Sequence, residues 1–82
     1  MYKNFLFHFL QNKKVILIRL QGFLDSNLIG NLIGFDEFMN LVIENAYEIN
    51  PLNQKKFIGQ LMIKGDCIVT ISEFNKDYLA DN

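Results

Sequence analysis

The apolar positions of this chain change period at Lys14. Before it, Tyr2, Phe5, Leu6, Phe9 and Leu10 recur at i, i+3, i+4, i+7 and i+8, the single stripe of a short helix over about residues 2–12. Lys13 and Lys14 follow, where a helix dipole is negative. Such a stripe predicts a helix that lies on a sheet and covers one open side. After Lys14 the period drops to two. Ile16, Ile18 and Leu20 alternate with Leu17, Arg19 and Gln21 and predict a first strand. Gly22 and Asp25-Ser26-Asn27 carry turn chemistry. Residues 28–35 read as a second strand, in which Gly30 and Gly34 mark a bulge, a bend or a close approach of backbone. Residues 41–49 form a third strand, ended by Asn50-Pro51-Leu52-Asn53. Residues 57–64 form a fourth, Gly65-Asp66 a tight turn, and residues 67–72 a fifth.

One helix followed by five short strands predicts a mostly β fold, a strongly bent five-stranded antiparallel barrel behind a short N-terminal helix. One domain is expected over residues 1–72, with the helix at about 2–12 and the barrel at about 14–72. Residues 73–82 read as a polar C-terminal tail. The last two strands are apolar on both faces, through Ile58, Leu61, Met62 and Ile63 and then Cys67, Ile68, Val69 and Ile71. Strands of that kind are hard to bury within 82 residues. They invite edge-to-edge pairing with another chain.

Composition narrows the possibilities. Half of the residues are apolar, and a small scaffold with that balance usually draws on disulfides, a metal or association. Cys67 is the only cysteine, so no disulfide forms within the chain, and one Cys with one His falls short of a zinc site. Association remains. No metal or cofactor is expected. The net charge of -1 argues against a duplex DNA binder, yet leaves room for a few residues gripping single-stranded bases. No run is long enough to span a membrane, and no signal peptide is expected.

Two short segments carry candidate chemistry. In an extended backbone Phe38 and Asn40 share one side and Met39 points to the other, into the core. An exposed aromatic ring stacks a base, and an Asn amide offers the donor and acceptor that a uracil edge requires. The same residues also read as an ordinary core Phe and a turn Asn. Lys64-Gly65-Asp66 lies between the last two strands. Gly65 permits close approach of backbone, and Lys64 supplies positive charge to a base or phosphate. Alone it is equally an ordinary hairpin turn with a solvated Lys.

Taken together, Gly30-Asn31-Leu32-Ile33-Gly34-Phe35-Asp36-Glu37-Phe38-Met39-Asn40-Leu41-Val42 and Gly59-Gln60-Leu61-Met62-Ile63-Lys64-Gly65-Asp66 resemble the two-part signature of the Sm proteins. Leu10-Gln11-Asn12-Lys13, Gly34-Phe35-Asp36-Glu37-Phe38-Met39-Asn40-Leu41-Val42, Glu48-Ile49 and Lys64-Gly65-Asp66 resemble the E-type branch, which carries Lys at the position of Lys64 where most of the family carries Arg. The likeness spans roughly residues 5–72. It implies the Sm fold and joining of the fourth strand of one subunit to the fifth of the next. It further implies a seven-membered hetero-ring with F-type and G-type neighbours, holding a uridine-rich single strand of spliceosomal small nuclear RNA in support of pre-mRNA splicing. By motif position Phe38 would stack a base, Asn40 would read its edge and Lys64 would close the pocket. Asp36, Gly65 and Asp66 would shape the loops. Nuclear residence with cytoplasmic assembly, and no catalysis, belong to the same expectation.

Three positions depart from the family pattern. Cys67 stands where Asn is usual, Ile29 where a polar residue is usual, and Gly22-Phe23-Leu24 is unusually apolar. Two rivals stand beside this reading. One is an Sm-like paralogue in RNA decay or another small-RNA ring. The other is an enzyme with Cys67 as nucleophile and His8 as base, which requires the two within hydrogen-bond reach.

Overall fold

A helix forms where the apolar stripe predicts it. The computed structural model describes residues 2–22 and 27–74, and in it α1 spans Tyr2–Gln11. Leu6 and Phe9 point into the core, and the Phe5 ring meets Phe9 edge-on with centroids 4.5 Å apart. The helix ends in a Schellman-like turn: Lys13 takes a left-handed φ of 50° and the Lys14 N–H donates to the Phe9 carbonyl (3.0 Å).

Five strands follow: β1 (Val15–Leu20), β2 (Asn27–Phe35), β3 (Leu41–Ile49), β4 (Lys55–Ile63) and β5 (Ile68–Glu73). They form one antiparallel sheet in the order β4-β3-β2-β1-β5. Period-two alternation sends Ile16 and Ile18 of β1, Leu28 and Leu32 of β2, Leu41 and Ile43 of β3 and Ile63 of β4 inward, onto Leu6 and Phe9. Each such side chain, once buried, contributes roughly 1.5–3 kcal/mol. The sheet can wrap around so small a core because it is broken by register shifts, one between Ile29 and Asn31 and another between Ile43 and Ala46. Gly30 sits at the tightest point. A Cβ there would lie 3.0 Å from the Glu44 carbonyl oxygen and 3.1 Å from the Ile43 Cδ1.

β4 and β5 form no ladder with each other, so the barrel is open along one seam. An apolar groove of about 310 Å³ runs there, lined by Leu28, Ile58, Leu61, Ile63 and Cys67 among others. The apolar surplus of the last strands is visible at this seam: Met62 is 66% exposed and Val69 57%.

Several expectations need correction. Asn27 belongs to β2, opposite Arg19 and Ile49, and not to a turn. β4 begins two residues earlier than expected and ends at Ile63, so Lys64 lies outside it. The segment Gly65–Cys67 is a single 3₁₀ turn, which removes Cys67 from β5. Glu73 is the last residue of β5, and its carboxylate lies 3.5 Å from the Lys14 ammonium. Of the three roles open to Gly34, the bulge is the one found: the β2–β3 register shifts between Leu32 and Gly34, while a Cβ at Gly34 meets open space. Asp25 and Ser26 of the expected turn, and residues 75–82 of the expected tail, lie outside the described residues. No helix among the described residues is long and apolar enough to cross a membrane.

Candidate nucleic-acid interface

The loop between β2 and β3 is built on one carboxylate. Asp36 Oδ1 accepts from the N–H of Phe38 (2.9 Å) and of Asn40 (3.0 Å), while Oδ2 accepts from Asn40 Nδ2 (2.9 Å). The backbone closes the same ring, with Asp36 N–H donating to the Asn40 carbonyl and Met39 N–H to the Asp36 carbonyl, each at 3.1 Å. Aspartate forms such turns because its short side chain reaches backbone two residues on. The backbone here is not extended as the sequence reading required. Met39 has a φ of +65°, a left-handed position that non-glycine residues seldom occupy. The outcome for side chains is nevertheless the expected one. Met39 packs against the core, and Phe38 stands 71% exposed.

The loop between β3 and β4 repeats the device. Asn50 Oδ1 accepts from Leu52 N–H and Gln54 N–H, Asn50 Nδ2 donates to Gln54 Oε1, and Asn53 takes a φ of +62°. Leu52, at the position equivalent to Phe38, is 77% exposed. The turn is therefore a general way of closing a hairpin. Two features set the first loop apart, an aromatic ring at its tip and its contact with a second loop.

That contact is made by Asn40 and Gly65. Gly65 N–H donates to Asn40 Oδ1 (2.9 Å). A Cβ on Gly65 would collide with the Phe38 carbonyl oxygen and would lie 2.8 Å from that of Met39. The two loops are thus in van der Waals contact through backbone, at a place where only glycine fits. Phe38, Asn40, Asp36 and Gly65 come together. Lys64 precedes the 3₁₀ turn, exposed, and its ammonium has no carboxylate partner among the described residues. Asp66 is an exposed residue within the turn and makes no side-chain hydrogen bond among the described residues. Cys67 joins the loops through backbone only, its carbonyl accepting from Gln21 N–H (2.7 Å) and its N–H donating to the Lys64 carbonyl (3.0 Å). The thiol itself is exposed. His8 is hydrogen-bonded to Asn12, and no hydrogen bond joins it to Cys67 among the described residues.

Electrostatics reinforce the loop. The hydrogen bond from the Asn40 side chain, followed by those from the Asn40 and Phe38 backbone, holds the Asp36 carboxyl below its ordinary 3.8. Because the folded pKa is lowered, the added stability is complete above the unfolded value and is lost as pH falls through the folded one. The Phe38 and Asn40 amide resonances are therefore expected to hold still from neutral pH down to about pH 4 and to move together below it. Movement at higher pH, with Asp36 as its source, would contradict the loop described here.

Sequence reasoning treated Asn40 as a reader of bases and missed its second role as a brace between loops. The signal was present as Asp and Asn four residues apart around a turn. It did not reveal which side chain would bond which backbone.

Comparison with known proteins follows the same residues. Residues 6–73 match the family model described as LSM domain. Small nuclear ribonucleoprotein E of Schizosaccharomyces pombe is 40% identical over 68 residues, covering 83% of this chain and 81% of that protein. A probable small nuclear ribonucleoprotein G of Medicago sativa is 44% identical over 61 residues, covering 72% of this chain and 74% of that protein. Among solved structures, a heptameric archaeal Sm protein superposes with a TM-score of 0.77 at 25% identity, covering 88% of this chain and 98% of that one. An Sm protein of Pyrococcus abyssii in complex with a uridine heptamer gives a TM-score of 0.78 at 27% identity, covering 90% and 99%.

Proposed function

The chain belongs to the LSM domain family, and from that membership we propose that it is the E-type subunit of a seven-membered Sm ring that holds a uridine-rich single strand of small nuclear RNA. The observation that carries this reading is the pair of fused loops, with Phe38 exposed at the tip and Lys64 beside Gly65. Assignment to the E type over the G type rests on the longer match to the E protein, 83% of this chain against 72%. The Lys64-Gly65-Asp66 segment supports the same choice. Names among the relatives favour a spliceosomal particle over an RNA-decay ring.

In this reading Phe38 stacks on a base, a contact worth about 1–3 kcal/mol and tolerant of base identity. Asn40 supplies the preference. Its Oδ1 is committed as acceptor to Gly65 N–H and its Nδ2 as donor to Asp36, so the amide cannot flip without losing both bonds. One lone pair and one N–H remain. They match the N3–H donor and the carbonyl acceptor of uracil. Cytosine, whose N3 is an acceptor, would face the Asn40 oxygen with no proton between them. Lys64 contributes a charge and no base selection. The neighbours are F-type and G-type subunits. The complete particle is nuclear, its assembly begins in the cytoplasm, and this subunit acts without catalysis. The ring-forming unit is residues 1–72 together with the final β5 residue.

Rings assembled with F-type and G-type partners test the reading through titration with uridine-rich and cytidine-rich oligonucleotides. Phe38→Ala is expected to weaken both. Asn40→Ala is expected to erase the uridine preference and also to lower affinity overall, since the loops lose their brace. Lys64→Ala is expected to flatten the salt slope by about 0.7. Full retention of uridine preference in the Asn40 variant would overturn the role given to that residue.

A further inference from the structure

We propose that the outer face of the sheet is a docking site for an acidic amphipathic helix of another protein. The inference goes beyond the ring reading and uses neither the RNA loops nor the free strand edges. The face turned away from the core carries a row of apolar side chains across four strands. Leu17 of β1 lies opposite Ile29 of β2, Ile29 opposite Tyr47 of β3, and Tyr47 opposite Phe57 of β4. Residues directly opposite in a ladder share a face. The residues that alternate with them, Ile16, Ile18, Leu28 and Ala46, point the other way and belong to the core. Ile29 is buried yet stands outside that core. Tyr47 and Phe57 are 39% and 61% exposed, their rings edge-on with centroids 5.2 Å apart. Ile29 is one of the three positions where this chain departs from the Sm pattern, and it is the residue that makes the row continuous.

The next row on the same face says what kind of partner fits. Arg19 lies opposite Asn27, Asn27 opposite Ile49 and Ile49 opposite Lys55, so this row begins and ends on a cation. Arg19 and Lys55 are both exposed, and neither has a carboxylate partner among the described residues. Nearby carboxylates do not cancel them. Glu48 alternates with Tyr47 and Ile49 and lines the seam groove on the inner side. Glu44 falls on the far side of the apolar row, past the bulge between Ile43 and Ala46. An apolar row flanked by two cations fits a partner with an apolar stripe and carboxylates beside it. Four strands set the length of the row at about 14 Å, three spacings of about 4.8 Å, which a helix of about ten residues covers. A helix suits this face better than an extended segment. The ladder hydrogen bonds are spent between strands, so a strand laid on the face would bury its own N–H and C=O groups without partners, whereas a helix satisfies its own.

A designed helical peptide of about twelve residues, with a leucine stripe flanked by glutamates, tests this against the full chain by fluorescence anisotropy. Two control peptides carry lysine in place of every glutamate, or prolines at the centre that forbid a helix. The glutamate peptide is expected to bind saturably, and each control at least about tenfold more weakly. Tyr47→Ser with Phe57→Ser is expected to lower its affinity by about tenfold or more. Arg19→Glu with Lys55→Glu is expected to reverse the order of the glutamate and lysine peptides. Circular dichroism on each variant checks that these changes leave the fold intact. The methyl resonances of Leu17 and Ile29 are expected to shift as the peptide is added. No saturable binding of the glutamate peptide, equal affinity in the variants and the parent, or shifts that spare Leu17 and Ile29 would overturn the proposal. Shifts there on adding a uridine-rich strand but not the peptide would overturn it in favour of a nucleic-acid platform. Shifts that follow chain concentration without peptide would overturn it in favour of a second copy on this face. Failure of assembled rings to bind a uridine-rich strand would sink the ring reading and leave this one standing.

Discussion

A proline at Val69 is expected to abolish assembly while leaving the chain folded. β5 pairs with β1 through Ile68 opposite Leu20 and Thr70 opposite Arg19, and the register shifts between them, so Val69 has no partner on β1. Its side chain is exposed as well. Proline there removes a backbone donor without breaking the β1–β5 ladder, and its ring obstructs any strand approaching the free edge. The expected result is loss of all higher-mass species in native mass measurements, with a circular dichroism spectrum like that of the parent. An assembled ring containing the proline variant would show that β5 is not a joining edge.

The second large effect is expected at Gly65. Alanine there puts a Cβ against two carbonyls of the Phe38 loop, and backbone carbonyls cannot swing aside as a side chain would. Overpacking of this kind costs roughly 1–3 kcal/mol. The nearest relief is for the two loops to part, which breaks the bond from Gly65 N–H to Asn40. Affinity for a uridine-rich strand should fall by about tenfold or more, as the fixed Asn40 amide and the placed Phe38 ring are lost together. Gly34→Ala serves as the control, since its Cβ meets nothing within 4 Å. Equal affinity in the Gly65 variant and the parent would mean that the fused loops do not hold the RNA.

The elements of the fold were legible because period carried them. The stripe from Tyr2 to Leu10 became α1, and the segment over residues 41–49 became β3 at the expected bounds. What failed were places where one side chain decides the backbone. Asp36, by accepting three hydrogen bonds, pulled Met39 into a left-handed position that no alternation pattern reveals. Gly30 and Gly34 look alike in sequence, yet only Gly30 is hemmed in by β3. That difference arises from the sheet's bend, a property of three strands together.

The candidate site was legible as a set of residues and less so as a mechanism. Phe38, Asn40, Lys64 and Gly65 could be chosen from the two-part pattern. The brace from Asp36 through Asn40 to Gly65 could not, because it joins residues 25 apart in sequence across the end of the sheet. That brace changes the chemistry proposed for Asn40, from a free amide to one whose orientation is fixed.

Ultraviolet crosslinking of assembled rings to a uridine-rich oligonucleotide, followed by peptide mapping, tests the central claim most directly. The account predicts crosslinks on this subunit at Phe38 and its immediate neighbours, with further adducts in the peptide that carries Lys64 and Gly65, and loss of the first set in Phe38→Ala. Crosslinks confined to other surfaces of this subunit, with both loops untouched, would contradict it.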